Sequence, residues 1–250
     1  MLIDTHAHIY MLENPEEAIE EAFKAGVERI IVPTAAEVDF EPVLELCHKY
    51  EHLYALLGVH PEDCEKFSDK TAARMLELAK DPKVVGIGEI GLDYHYSKEN
   101  KNAQKNCFIN QLEIAKILNL PVAIHDRDAH LDIFEILKES QVKKVLLHCF
   151  SGSSEFMKQC TNMGYKIALG GVVTFKNAKT IKEVASEIDI NDLMLETDCP
   201  YLAPHPYRGE ENSPKYIGFV AKEIANLKNI PYDSVVFKTT ENAKEFFSID

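Results

Sequence analysis

Eight short apolar runs, spaced along 250 residues, constrain this chain more than any other feature. They are Leu2–Thr5, Arg29–Pro33, Leu53–Val59, Val84–Glu89, Val122–His125, Lys144–His148, Lys166–Gly170 and Leu193–Thr197. Rich in Ile, Val and Leu and mostly without polar alternation, they read as parallel strands covered on both faces. Segments of helical period separate them, Pro15–Lys24, Phe40–Tyr50, Lys70–Lys80, Ala103–Leu118, Ala129–Glu139, Ser154–Asn162 and Ala178–Ile188, and two more, Lys215–Leu227 and Tyr232–Phe247, follow the last run. Asn14-Pro15-Glu16-Glu17 is a helix start, with Pro at the first helical position and acids in the first turn. Eight strand–helix units in a chain of this length predict an α/β fold, the (β/α)8 TIM barrel, as one domain over residues 1–250. A doubly wound open sheet is the rival.

The ends of these runs carry the chemistry. His6 and His8 follow the first run, and Glu89, His125, His148 and Asp198 close or directly follow the fourth, fifth, sixth and eighth. If the runs are parallel strands, all six side chains collect at the C-terminal rim, and only a closed ring brings the first and eighth together there. Imidazoles and carboxylates gathered at one rim make a divalent-metal site. His6 and His8 are two apart, which on extended backbone points both to one side. A buried Glu89 is costly without compensating charge, so beside the histidines it reads as a carboxylate bridging two cations. His125 and His148 would bind the second ion. Asp198 would bind the first ion, orient a water or take its proton.

Other polar residues weigh less. His48 and His52 have a helical spacing but polar surroundings, and read as a solvated face. His60, at the end of the third run, is a candidate substrate contact or outer-shell residue. Cys149 and Cys199 each follow a ligand-type residue, and strand alternation aims them away from it. The six cysteines are scattered without CxxC, which with an N-terminus lacking a basic start and apolar stretch points to a reduced, cytoplasmic protein. No apolar run approaches membrane-spanning length. A net charge of −14 with no Lys/Arg block excludes a general nucleic-acid coat protein. It leaves open a short end held where bound metals supply positive charge.

The motifs resemble those of the TatD-type metal-dependent deoxyribonucleases, within the amidohydrolase-like barrels. The matching pieces are Asp4-Thr5-His6-Ala7-His8, Gly58-Val59-His60-Pro61, Gly88-Glu89-Ile90-Gly91-Leu92-Asp93-Tyr94, His125-Asp126-Arg127-Asp128-Ala129, His148-Cys149-Phe150-Ser151-Gly152 and Glu196-Thr197-Asp198-Cys199-Pro200-Tyr201-Leu202-Ala203-Pro204. They span nearly the whole chain in family order. The resemblance implies two divalent ions, Zn, Mn or Mg: one on His6, His8, Glu89 and Asp198, the other on Glu89, His125 and His148. It also assigns Arg208 and Gly209 to the family's Arg-Gly loop. Here the chain departs from the pattern, with Glu210 and Glu211 where basic residues are common and Ser213 where a Glu or Gln is usual.

The expected reaction is metal-assisted hydrolysis of phosphodiesters in DNA, exonucleolytic and favouring single-stranded or frayed 3′ ends. Glu89 and Asp198 are the candidate catalytic residues. Arg127 and Arg208 are candidates to hold phosphate, and Tyr94 and Tyr201 to stack a terminal base. DNA is the expected partner, with no membrane, and the chain acting as a monomer or small homo-oligomer. The alternative is hydrolysis of a small ester, lactone, amide or aminoacyl-nucleotide ester, because site chemistry rather than fold selects the bond.

Overall fold

The computed structural model describes residues 1–95 and 99–250. Among them the chain forms β1 (Leu2–Asp4), α1 (Pro15–Lys24), β2 (Val27–Pro33), α2 (Phe40–Lys49), β3 (Leu53–Leu57), α3 (Asp69–Leu78), β4 (Val84–Asp93), α4 (Lys101–Leu118) and β5 (Val122–Arg127). It continues through α5 (His130–Ser140), β6 (Val145–Leu147), α6 (Ser154–Asn162), β7 (Lys166–Leu169), α7 (Lys179–Glu187), β8 (Leu193–Leu195), α8 (Ile217–Lys228) and α9 (Tyr232–Phe247). Strand order follows chain order from β1 to β8, the (β/α)8 arrangement expected from the apolar runs. The chain divides into two compact units, Met1–Val32 with Cys149–Asp250, and Pro33–His148.

The first unit holds both chain ends. β1 pairs in parallel with β2, and β7 with β8. β8 and β1 are themselves adjacent: the Thr5 amide and hydroxyl both donate to the Leu195 carbonyl, each at 3.0 Å. This adjacency of first and eighth strands is what a ring requires and an open sheet lacks. Beyond the strand ends the lacing continues through the buried Asp4 carboxylate. Its Oδ1 accepts from the Thr197 amide at 2.9 Å and the His6 amide at 3.3 Å, and its Oδ2 from the Thr197 hydroxyl at 2.6 Å. Burial pushes the Asp4 carboxyl up to about 8 despite the Thr197 and His6 donors. α1 starts on Pro15 with Glu16 and Glu17 in its first turn and Lys24 in its last, as expected. α9 packs on the same strands, where the Asn242 amide donates to the Ile190 and Leu193 carbonyls at 2.7 and 2.8 Å.

The second unit contains four parallel strands in the order β3-β4-β5-β6. β4 is longer than the sequence predicts: it runs ten residues to Asp93, all buried, whereas the expected run closed at Glu89. A carboxylate reads locally as the end of a buried strand, but Glu89 is compensated by imidazoles from distant segments. β5 lengthens with it, pairing Gly91 with His125 and Asp93 with Arg127, so His125 lies inside a strand. Gly91 makes this pairing possible. It sits at φ +149°, and a Cβ there would stand 2.0 Å from the His125 carbonyl oxygen.

Asp4→Ala leaves the buried Thr197 and His6 donors without their acceptor, and is expected to cost about 2–3 kcal/mol. Melting in the presence of a chelator should fall by roughly 4–12 °C for a chain of this size. An unchanged melting temperature would show that the β1–β8 lacing does not depend on this carboxylate.

Candidate metal centre

Two groups of ligand-type side chains stand at the strand ends, one in each unit. In the first unit, β1 stops at Asp4 and the chain turns through Thr5 to His8. The turn is fixed from both sides, because Asp198 N–H donates to the His6 carbonyl at 2.9 Å and His8 N–H to the Cys199 carbonyl at 2.8 Å. The imidazoles converge even though the strand has ended: His6 Nε2 and His8 Nε2 lie 3.3 Å apart, each 3.9 Å from Asp198 Oδ1. Two ligand atoms about 2.1 Å from one ion in tetrahedral geometry stand about 3.4 Å apart. Both imidazoles are buried, while the Asp198 side chain keeps 13% of its surface exposed, so the group opens toward solvent on its carboxylate side.

In the second unit the group forms around Glu89, which is 4% exposed. Its Oε1 lies 2.7 Å from His125 Nδ1, 2.7 Å from His148 Nε2 and 3.7 Å from His60 Nε2. On its other edge, His125 Nε2 meets Asp93 Oδ2 at 3.0 Å. Burial alone would raise the Glu89 carboxyl, but the charges of His148 and His60 and the His125 and His148 hydrogen bonds hold it well below the usual carboxylate range. For His125 burial opposes the charged form, yet the hydrogen bonds to Asp93 and Glu89 prevail and lift the imidazole to about 9. Asp93 is lowered to about 2: its desolvation opposes this, but the His125 hydrogen bond, the His95 amide and the charges of His125 and Arg127 together prevail.

The donor chemistry of both groups fits divalent metal. His6, His8 and Asp198 each offer one atom, and all three atoms lie within 4.8 Å of one another; His60, Glu89 and His125 do the same. Imidazole nitrogen with carboxylate oxygen is the donor set of Zn and Mn rather than of Mg alone.

The remaining expectations are placed as follows. His60, expected as an outer contact, stands among the groups around Glu89, its ring centroid 4.4 Å from that of His125. Tyr201 is 54% exposed, with its ring centroid 6.4 Å from that of His8. Arg208 is exposed and lies over the Phe175 ring at 4.3 Å. Arg127 is half-buried at the end of β5. Tyr94, expected to stack a base, is buried; its hydroxyl donates to Asp132 at 2.6 Å and Lys101 Nζ lies 3.8 Å from its ring centroid. The alternation argument for Cys149 and Cys199 does not apply, because the chain takes left-handed conformations at Cys149 (φ 41°) and Asp198 (φ 57°). Cys199 is fully buried all the same, and burial pushes its thiol well up.

Asp93 was missed, although a signal for it exists. It lies four residues beyond Glu89 on the same strand, hence on the same face, with Gly91 between them. Asp4 was quoted only as part of a motif, and nothing local marks it as the acceptor for residues near position 197.

A family model described as TatD related DNase matches residues 3–248. The chain is 44% identical over 255 residues to YabD of Bacillus subtilis (strain 168), described as an uncharacterized metal-dependent hydrolase, with 100% of each covered. Among solved structures, YjjV, a TatD homolog from Escherichia coli K12, gives a TM-score of 0.95 at 32% identity, covering 100% of this chain and 98% of that one. A TatD family hydrolase from Entamoeba histolytica gives 0.88 at 25% identity, covering 98% and 97%. The whole-chain match, the shared barrel fold and the two donor groups lead to one conclusion: this chain belongs to the TatD-related DNase family of metal-dependent hydrolases.

Proposed function

We propose that this protein is a divalent-metal-dependent deoxyribonuclease, an exonuclease favouring single-stranded or frayed 3′ ends. The observation that carries the reading is the pair of imidazole–carboxylate groups, His6, His8 and Asp198 in one unit and His60, Glu89, His125 and His148 in the other. One ion is assigned to His6, His8 and Asp198 and a second to His125 and His148. Glu89 serves both, as the family resemblance implies. Six free cysteines support a reduced, cytoplasmic setting. No helix among the described residues is long and apolar enough to cross a membrane. The chain is read as a single hydrolase domain, acting as a monomer or small homo-oligomer.

When bound, such ions lower the pKa of a coordinated water and offset charge building on the phosphoryl oxygens. The protein's own groups do the rest. Asp198, the partly exposed carboxylate of its group, accepts the proton of the attacking water. Glu89, kept ionised inside its ring of imidazoles, maintains negative charge where the cations must sit. Arg208, backed by Phe175, and Arg127 hold the phosphate next to the one being cut. Tyr201 offers its exposed ring to the terminal base. With a net charge of −14, attraction for DNA is local, and a flexible end reaches such a site more readily than a stiff duplex.

Metal-stripped protein re-supplied with single cations, then offered end-labelled single strands and covalently closed circular duplex, tests the reading. Nucleotides should be released from single strands only with metal, and the closed circle should persist. Prompt nicking of the circle would mean an endonuclease. Cleavage of a simple chromogenic ester without any DNA cleavage would favour the small-ester alternative.

Glu89→Ala should abolish activity in a folded protein and weaken retention of both ions, whereas His125→Ala and His148→Ala should each lose one ion. Metal analysis decides: two ions kept by Glu89→Ala would remove it as the shared ligand, and both lost from either histidine variant would refute the partition.

Arg208→Ala should raise KM for single-stranded DNA about tenfold, as expected for one charged phosphate contact, with metal content unchanged. Loss of an ion in this variant would place Arg208 in the metal centre instead.

A further inference from the structure

We infer that two buried glutamines of α4, Gln104 and Gln111, are positioning residues that set the geometry of the groups around Glu89. They lie seven residues apart, two turns along one helix face, and both are buried. Each side-chain amide makes two bonds to a single backbone residue. Gln104 Oε1 accepts from the Asp93 amide and its Nε2 donates to the Asp93 carbonyl, both at 2.9 Å. Gln111 Oε1 accepts from the Val59 amide at 2.8 Å and its Nε2 donates to the Val59 carbonyl at 3.0 Å.

The two backbone residues held are not arbitrary ones. β4 ends at Asp93, whose carboxylate meets His125 at 3.0 Å. Val59 lies beyond the end of β3 and directly precedes His60, whose Nε2 is 3.7 Å from Glu89. Asp93 is the last residue of β4 and Val59 lies past the end of β3, and at both the backbone edge bonded by the glutamine needs partners. Each amide supplies the donor–acceptor pair that a neighbouring strand would have offered. Thr34 treats Gly58 in the same manner, its hydroxyl donating to the Gly58 carbonyl at 2.9 Å and accepting from the Gly58 amide at 2.8 Å. One rigid helix thus fixes the backbone behind both outer members of the ring, Asp93 and His60. Groups that orient ligands in this way tune metal affinity without touching the ion.

The inference rests on the reading that Glu89, His125 and His148 hold an ion, and the test separates the two. Gln104→Met and Gln111→Met preserve length and apolar fit while removing the paired bonds. Leu112→Ala, fully buried on the same helix, loosens α4 without touching either bond. Each protein is stripped of metal, melted without ion, and then titrated with Co2+ well below its melting temperature, following the Co2+ absorption bands.

Both Met variants should weaken the ion on Glu89, His125 and His148 by roughly 10–100-fold. The ion on His6, His8 and Asp198 should keep its affinity, and turnover on single-stranded DNA should fall in kcat with little change in KM. Leu112→Ala should lower the melting temperature and leave both ions in place. Two ions held at unchanged affinity by both Met variants would overturn the inference, as would equal weakening of the same ion by Leu112→Ala. If a Met variant does not fold, Gln104→Asn or Gln111→Asn, a neutral amide too short to make both bonds, is read by the same criteria. Identical Co2+ titrations of Glu89→Ala and the unaltered protein would remove the underlying ion assignment, and the positioning role with it.

Discussion

A buried carboxylate joins the first strand to the eighth. Asp4 has no solvent access, yet it accepts from the backbone of His6, and from both the backbone and hydroxyl of Thr197. Burial of an acid is unfavourable on its own, and three convergent donors offset part of that penalty. The return is geometric. The residues whose amides it fixes are His6 itself and the one immediately before Asp198, so the ligand group of the first unit is assembled on a single buried carboxyl group. The Asp198 amide then bonds the His6 carbonyl and the His8 amide the Cys199 carbonyl, closing the lace around it.

The second unit solves the same problem with neutral amides. Glutamines reach from α4 to the backbone at Asp93, the last residue of β4, and to Val59, just before His60. The choice fits the electrostatics. Glu89 and Asp93 already place two carboxylates around His125, and another acid behind them would add to the negative charge the imidazoles must balance. Neutral amides hold the backbone without altering that balance. In both units the residues that touch no ion determine where the ligand atoms stand.

Charge follows the same local logic. The chain carries −14 overall and has no basic stripe. Some of its acids are tied to lysines and arginines, in pairs such as Arg74 with Glu37 and Lys182 with Glu223. Half-exposed pairs of this kind, screened by solvent, contribute little to stability. The electrostatically decisive groups are the buried ones, where low dielectric makes each imidazole–carboxylate contact strong.

Much of this was legible in the chain itself. The eight apolar runs specify parallel strands because burial on both faces leaves no polar alternation, and His6, His8, Glu89, His125, His148 and Asp198 stand out because each ends or follows such a run. Local pattern also gives α1 its Pro15 start and its Lys24 end. What the sequence could not supply was partnership between distant residues. Asp4 answers to a residue 193 positions away, Gln111 to one 52 away, and Gln104 to one 11 away. The extension of β4 past Glu89 and the burial of Tyr94 have the same origin. A carboxylate or a tyrosine looks like a rim residue from its neighbours in the chain, and only distant imidazoles, or Asp132 and Lys101, turn it into an interior one. Periodicity records which faces are buried. The identity of the group waiting across the interior is decided by the tertiary fold, because hydrogen bonds and charges act through space and leave no period in the chain.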